Sequence, residues 1–161
     1  MYRKILVTHD GSDLAELAVP HAATVAKGAG APVVVVQVVD SVAQMMTRMT
    51  PMIEPMPVGE VSVDIAEEAA AGQRQAAQEN LDRVMATLQA EGVSDVSTLI
   101  IEGPPGDAIL EAAREEDADL IVMATHGRSG LGRAVLGSVA DHVVRHVKQR
   151  AVLLVRSPEE D

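Results

Sequence analysis

A run of near-continuous valine constrains this chain more than any other feature. Val33-Val34-Val35-Val36-Gln37-Val38-Val39 follows Pro32 and carries branched side chains on both faces. A strand of that composition reads as buried on both faces, as strands in parallel sheets are. Parallel neighbours need long crossovers, usually helices. The rest of the chain is laid out to match.

Short β-branched runs fall at Lys4–Thr8, Val96–Ile101, Asp119–Ala124 and Ala151–Val155. Segments of helical period lie between them. Asp13–Lys27 places Leu14, Leu17, Ala18, Ala22, Val25 and Ala26 near a 3.6 repeat, with Pro20 predicted to kink it or confine its regular bonding. Gly28 and Gly30 are its predicted stop. Ala77, Leu81, Val84, Met85 and Leu88 form a second stripe, closed by Gly92. Ala108, Ile109, Ala112 and Ala113 form a third, after a Gly103-Pro104-Pro105-Gly106 turn. Val139, Ala140, Val143, Val144 and Val147 form a fourth. Residues 40–65 break the rhythm and read as a long mobile connection, with regular helix resuming near Ala66. The expected fold class is α/β: a doubly wound, open, Rossmann-like sheet of five mostly parallel strands with helices on both faces. Residues 1–157 make one domain and 158–161 a tail.

Composition narrows the functional classes. With 13 Lys+Arg against 24 Asp+Glu the formal net charge is -11, which repels nucleic acid. There is no Trp, no Phe and one Tyr, so no aromatic platform exists for single strands. The absence of Cys removes thiol nucleophiles, disulfides and Cys-ligated metals. No stretch approaches the ~20 apolar residues of a membrane span, and the N-terminus lacks the apolar core of a secretory signal. The expected location is the cytoplasm.

In an open α/β sheet, ligands sit beyond the carboxyl ends of the strands, where the strand order reverses. Three segments are expected to converge there: Thr8–Ser12, Val38–Asp40 and Thr125–Ser138. The last holds Gly127, Gly130, Gly132 and Gly137 within eleven residues, then opens a helix at Ser138. Glycines let backbone N–H groups approach an anion, and a helix N-terminus favours one. Gly132, four residues, Gly137 and Ser138 resemble a P-loop, but Ser138 stands where that motif needs Lys. From Thr125 to Arg156 the basic residues are Arg128, Arg133, Arg145, Lys148, Arg150 and Arg156, against the single acid Asp141. The alternative is a plain strand-to-helix turn beside a solvated basic face.

These pieces together resemble the universal stress protein family over nearly the full chain. They are Ile5-Leu6-Val7 with Asp10-Gly11-Ser12, Val38-Val39-Asp40, Leu120-Ile121-Val122-Met123, the Thr125–Ser138 loop and Ala151–Val155. The family's ATP-binding branch carries Gly, two residues, Gly, nine residues, then Gly-Ser or Gly-Thr. Gly127, Gly137 and Ser138 match, and Ala124 replaces the first Gly. The resemblance implies an adenine nucleotide alpha hydrolase-like fold and ATP as ligand, with or without Mg²⁺. It implies that Asp10 lies at the ribose and that Val38 offers backbone to the adenine edge. Gly127, Gly137 and Ser138 would hold phosphates, with Arg128 and Gly130 in the same loop and Val139 adding an N–H. Asp10 has a second reading as a helix cap together with Ser12. The resemblance also implies a homodimer through the Ala151–Val155 edge strand, a solution to an exposed apolar edge.

Other candidates have plainer readings. His142 and His146 are spaced for one metal, but no third ligand is apparent, and His is favoured near a helix C-terminus. His126 could touch a ligand or have no role. Asp107, Glu111 and Glu115 read as an exposed acidic face. Met45, Met46, Met49, Met52 and Met56 are either a lid or strip for an unidentified protein partner, or a floppy insertion. No Lys-plus-metal-carboxylate set is identifiable. The expected function is ATP binding in a stress-response regulatory or sensing module, with slow or no hydrolysis. The alternatives are a nucleotide-free scaffold of the same fold and a phosphotransfer or nucleotide-hydrolysing enzyme.

Overall fold

The computed structural model describes residues 1–49, 60–125 and 136–156. Its strands are β1 Ile5–Thr8, β2 Val33–Val39, β3 Val96–Glu102, β4 Leu120–Ala124 and β5 Ala151–Val155. The helices are α1 Asp13–Glu16, α2 Ala18–Ala29, α3 Val42–Met49, α4 Glu60–Ala90, α5 Pro105–Glu115 and α6 Ser138–His146. All five strands pair in parallel, in the order β3-β2-β1-β4-β5. The expected α/β sheet is present, with both faces covered.

Strand alternation divides the core into two layers. Ile5, Val7, Val33, Val35, Leu120 and Val122 face α2 and α4, through Ala18, Ala22, Ala26, Leu81, Val84 and Leu88. Leu6, Val34, Val36, Ile121 and Met123 face α5 and α6, through Ile109, Ala112, Ala113, Ala140 and Val143. Alanines on the helix faces let backbones approach a sheet of branched side chains closely, so a core without aromatic bulk can still be filled.

Several local expectations need correction. Asp13–Lys27 is two helices meeting at Leu17. Pro20 lies in the first turn of α2, where its missing N–H costs nothing, while its ring denies Glu16 a continuing ladder. The helix runs through Gly28 and stops at Gly30, which is left-handed at φ 64. Residues 40–65 are not one irregular connection. Ser41 and Gln44 cap α3 reciprocally: the Ser41 N–H donates to Gln44 Oε1 at 2.9 Å and the Gln44 N–H to Ser41 Oγ at 3.3 Å. Helix α4 begins at Glu60, six residues before the expected Ala66. Met45, Met46 and Met49 are half-buried on α3. Met52 and Met56 lie outside the described residues, as does the 158–161 tail. Val144 is 44% exposed and does not share the buried stripe of Ala140 and Val143.

Leu81→Ala is expected to lower unfolding free energy by about 2–5 kcal/mol, since Leu81 is fully buried between α2 and the sheet. Val144→Ala should stay within about 0.5 kcal/mol. Chemical denaturation of both variants checks the pair, and equal losses would contradict this layering.

Candidate functional site

The chain passes from β1 outward through β2 and β3, then returns to the other side of β1 as β4. That reversal opens a cleft of about 400 Å³ at the carboxyl ends of the strands. Thr8, His9 and Asp10 line it from the β1 exit, and Val38, Val39 and Asp40 from β2. Ala124 and Thr125 line it from β4, and Gly137, Ser138, Val139 and Ala140 from the start of α6. The described residues of the three segments expected to converge meet in this cleft. The volume lies in the range of small-molecule sites.

At the β1 exit, Asp10 and Ser12 share one structure. The Ser12 N–H and hydroxyl both donate to Asp10 Oδ1, at 3.0 and 2.6 Å, while Ser12 Oγ accepts the Ala15 N–H at 3.2 Å. Ser12 is therefore the cap of α1 and Asp10 braces it. The two readings of Asp10 are not exclusive, because the same half-buried carboxylate also lines the cleft. Gly11 sits between them at φ 85, a conformation that suits glycine.

Beneath this loop lies a buried polar network absent from the sequence expectations. His9 is 3% exposed. Its Nδ1 accepts the Gly11 N–H at 3.1 Å and an Asn80 Nδ2 proton at 2.9 Å. Its Nε2 lies 3.1 Å from Glu16 Oε2. With two donors aimed at Nδ1, the proton of the neutral ring belongs on Nε2, where it donates to Glu16. Asn80 Nδ2 also donates to Gln37 Oε1 at 2.7 Å, and Arg83 Nη2 donates to Asn80 Oδ1 at 2.6 Å. Burial pushes the His9 imidazole below its ordinary range. Glu16 and Asp10 oppose that shift, and Arg83 adds to it.

The opposite wall is the start of α6. Gly137 is its cap residue, and the Gly137 N–H donates to the Thr125 carbonyl at 2.8 Å. That amide is already committed, while Ser138, Val139 and Ala140 line the cleft at the first turn of α6. Their first-turn amides have no intrahelical acceptor. What Gly137 contributes is a lining position without a Cβ. Ala124 ends β4 on the same wall. Gly127, Arg128 and Gly130, together with His126, lie outside the described residues.

At the β2 end, Val38 is half-buried in the lining. The Asp40 N–H donates to Gln73 Oε1 at 2.9 Å, and the buried Asp40 carboxylate meets Arg48 Nη2 at 3.1 Å. The segment read as a loose connection thus supplies Arg48 to the cleft, and α4 supplies Gln73. Gln37, Asn80, Arg48 and His9 all escaped the sequence reading. One signal was available: Gln37 interrupts an otherwise valine strand, and a polar side chain buried there must find a partner.

Other sequence candidates lie on α5, α6 and β5. His142 Nε2 lies 2.8 Å from Asp107 Oδ1, His146 Nδ1 lies 2.8 Å from the His142 carbonyl, and the two rings stack at 4.3 Å. Among the described residues no group of three possible ligands could hold a metal. Asp107, Glu111 and Glu115 are exposed. Strand β5 is an edge of the sheet, as expected, with Ala151, Val152, Leu153 and Leu154 half-buried. No helix among the described residues is long and apolar enough to cross a membrane.

Residues 1–156 match the sequence model of the universal stress protein family. Universal stress protein MJ0531 of Methanocaldococcus jannaschii is 35% identical over 161 residues, covering 100% of this chain and 86% of the relative. The solved structure of hypothetical protein MJ0577 superposes with a TM-score of 0.79 over 99% of both chains, at 24% identity, a likeness of fold alone. A universal stress protein solved in complex with cAMP superposes with a TM-score of 0.66 over 98% of both chains, at 25% identity.

The His9 network makes stability depend on pH with a definite sign. An imidazole whose folded value is depressed takes up its proton more readily in the unfolded chain. Its contribution is complete above about 6.5, the ordinary imidazole value, and is lost as pH falls from there toward the folded value. Denaturant midpoints measured downward from about pH 7.5 should decline below about 6.5, before ordinary carboxylates titrate. A midpoint flat until the carboxylate range would contradict this.

Proposed function

This chain belongs to the universal stress protein family, and from that premise we propose that it is an ATP-binding regulatory module rather than a turnover enzyme. One observation carries the reading. Asp10, Val38 and the first-turn amides of α6 line one cleft at the strand reversal, from three separate segments. The spacing suits a nucleotide laid across the sheet edge. A carboxylate serves sugar hydroxyls, strand backbone serves a base edge, and helix amides serve an anion. The family relative held with cAMP supports an adenine nucleotide as the ligand class.

The proposed ligand is ATP, held without a P-loop lysine. Phosphoryl transfer needs metal and cationic groups poised at the transferring phosphate. The cation in the described lining, Arg48, is paired with Asp40 at the β2 end, away from α6. Binding then acts as a signal: it would bridge the β1 exit and the start of α6 and change the surface offered to a partner. We further propose a cytoplasmic homodimer joined along β5, supported by that strand's edge position and apolar sequence. A nucleotide-free scaffold is the second reading, favoured by Ala124, whose methyl group stands in the lining where the ATP-binding pattern has glycine.

Calorimetry of nucleotide-stripped protein with ATP tests the choice, and absence of binding would select the scaffold. Gly137→Val should weaken ATP affinity by at least about tenfold, or about 1.4 kcal/mol, while circular dichroism stays unchanged. The backbone there is extended, at φ -58 and ψ 149, a conformation valine adopts without strain, and its side chain adds bulk at a lining position. Unchanged affinity would remove Gly137 from the site. Phosphate release should remain far below the ~10 per second of a median enzyme.

A further inference from the structure

The β1 exit carries a feature that nucleotide binding by itself does not require. In the loop presenting Asp10, the Gly11 N–H donates to His9 Nδ1. The loop is also held by the Asp10–Ser12 bonds. Gly11 has no Cβ to pack and sits in a left-handed conformation, so its N–H is the loop's handle. The ring itself cannot turn away. Glu16 holds Nε2, Asn80 faces Nδ1, and Asn80 is fixed in turn by Gln37 on β2 and by Arg83 on α4.

We infer that His9 is a positioning residue for the cleft: its neutral ring holds Gly11, and through it the Asp10 carboxylate, in the place a ligand uses, and protonation of the ring releases both. This rests on the nucleotide reading given above. The chemistry is one of acceptor count. Neutral imidazole with its proton on Nε2 has one acceptor, and two N–H donors are aimed at it. Imidazolium has none, so the Gly11 and Asn80 N–H groups would each face a third N–H. A buried donor that loses its acceptor is costly, and the loop is the part able to move.

The charged groups around the ring set where this happens. Glu16 from α1 and Asp10 from the ring's own loop favour the protonated form, while Arg83 from α4 disfavours it. Asn80 and Gln37 are neutral neighbours from α4 and β2. Burial outweighs the two carboxylates, which favours the neutral ring that accepts the Gly11 N–H. A proton on His9 would also attract phosphate through its charge, but Glu16 lies 3.1 Å away as a counter-charge. Geometry therefore decides the sign, and acid weakens binding.

ATP affinity is measured at about pH 7.5 and about pH 5.0 for the wild type, His9→Asn and His9→Leu, bracketing the imidazole range. Asparagine offers a carbonyl oxygen near the position of Nδ1 and does not titrate. Comparing proteins at each pH cancels the titration of ATP itself. The expected result is wild-type affinity falling at least about tenfold more than that of His9→Asn on acidification. His9→Asn should bind near wild type at the higher pH, and His9→Leu weakly at both. Equal pH responses of wild type and His9→Asn would overturn the inference and leave nucleotide binding standing. No ATP binding by the wild type at either pH would overturn both. The wild type alone supplies a check that no variant's folding can spoil: by nuclear magnetic resonance, the Gly11 amide should shift together with His9 protonation. A Gly11 amide unmoved while the ring titrates would also overturn the inference.

Discussion

The position of every lining group depends on β1, a strand of four residues with neighbours on both sides. Ile5 to Thr8 pair with Val33 to Val36 of β2, and Ile5 to Val7 pair with Leu120 to Val122 of β4. Ile5, Leu6 and Val7 are fully buried, so neither face can shift toward solvent. A strand so confined offers its chain one exit, over the carboxyl edge between β2 and β4. The His9 N–H extends the ladder one step further by donating to Val36 at 2.9 Å. Packing and function are therefore joined at this strand. A change of volume beneath β1 would move Asp10 relative to both of its partner walls.

The polar network beneath the exit is compatible with stability because it is closed. A buried hydrogen-bonding group left without a partner costs about 1–3 kcal/mol, and His9, Gln37 and Asn80 are all buried. Among the described residues, no buried side-chain nitrogen or oxygen lacks a partner. Asn80 accounts for much of this, giving one amide proton to Gln37 and one to His9 while accepting from Arg83. An apolar trio could fill the same space, but would not fix which ring nitrogen faces Gly11. The network contributes geometry more than energy, which is the circumstance in which partial satisfaction would be most damaging.

The sheet and most of its helices were legible because hydrophobic period is a local property. Valine runs and alanine stripes announce themselves within ten residues, and the structure keeps nearly all of them. The three-way convergence was also legible, since strand reversal in a parallel sheet dictates where loops meet. What escaped was of two kinds. Helix α3 is short and carries no buried residue; its sign was the Ser41–Gln44 capping pair, obscured by the prolines that follow. The His9 network joins residues 43 and 71 positions apart, and no local pattern encodes such a pairing. Gln37 could be suspected of needing a partner, but Asn80 could not be named. Gly137 was legible as a position while its amide was not, because the carbonyl that takes its N–H belongs to Thr125, twelve residues earlier.

The two walls of the cleft are tied to the body in different ways. Helix α4 reaches the β1 exit through Asn80, the end of β2 through Gln73, and β3 through the Arg74–Glu102 pair. Three strand ends are thereby tied to one long helix, on the side of the cleft that carries Asp10 and Asp40. The α6 wall is joined at its start by the Gly137–Thr125 bond, and Thr125 itself hangs from β5 through the Val155 carbonyl. A ligand reaching from Asp10 to the amides of Ser138 and Val139 would bridge the two walls. Such a ligand would join the β1–β2 side of the sheet to the β4–β5 side, whose outer strand is a sheet edge.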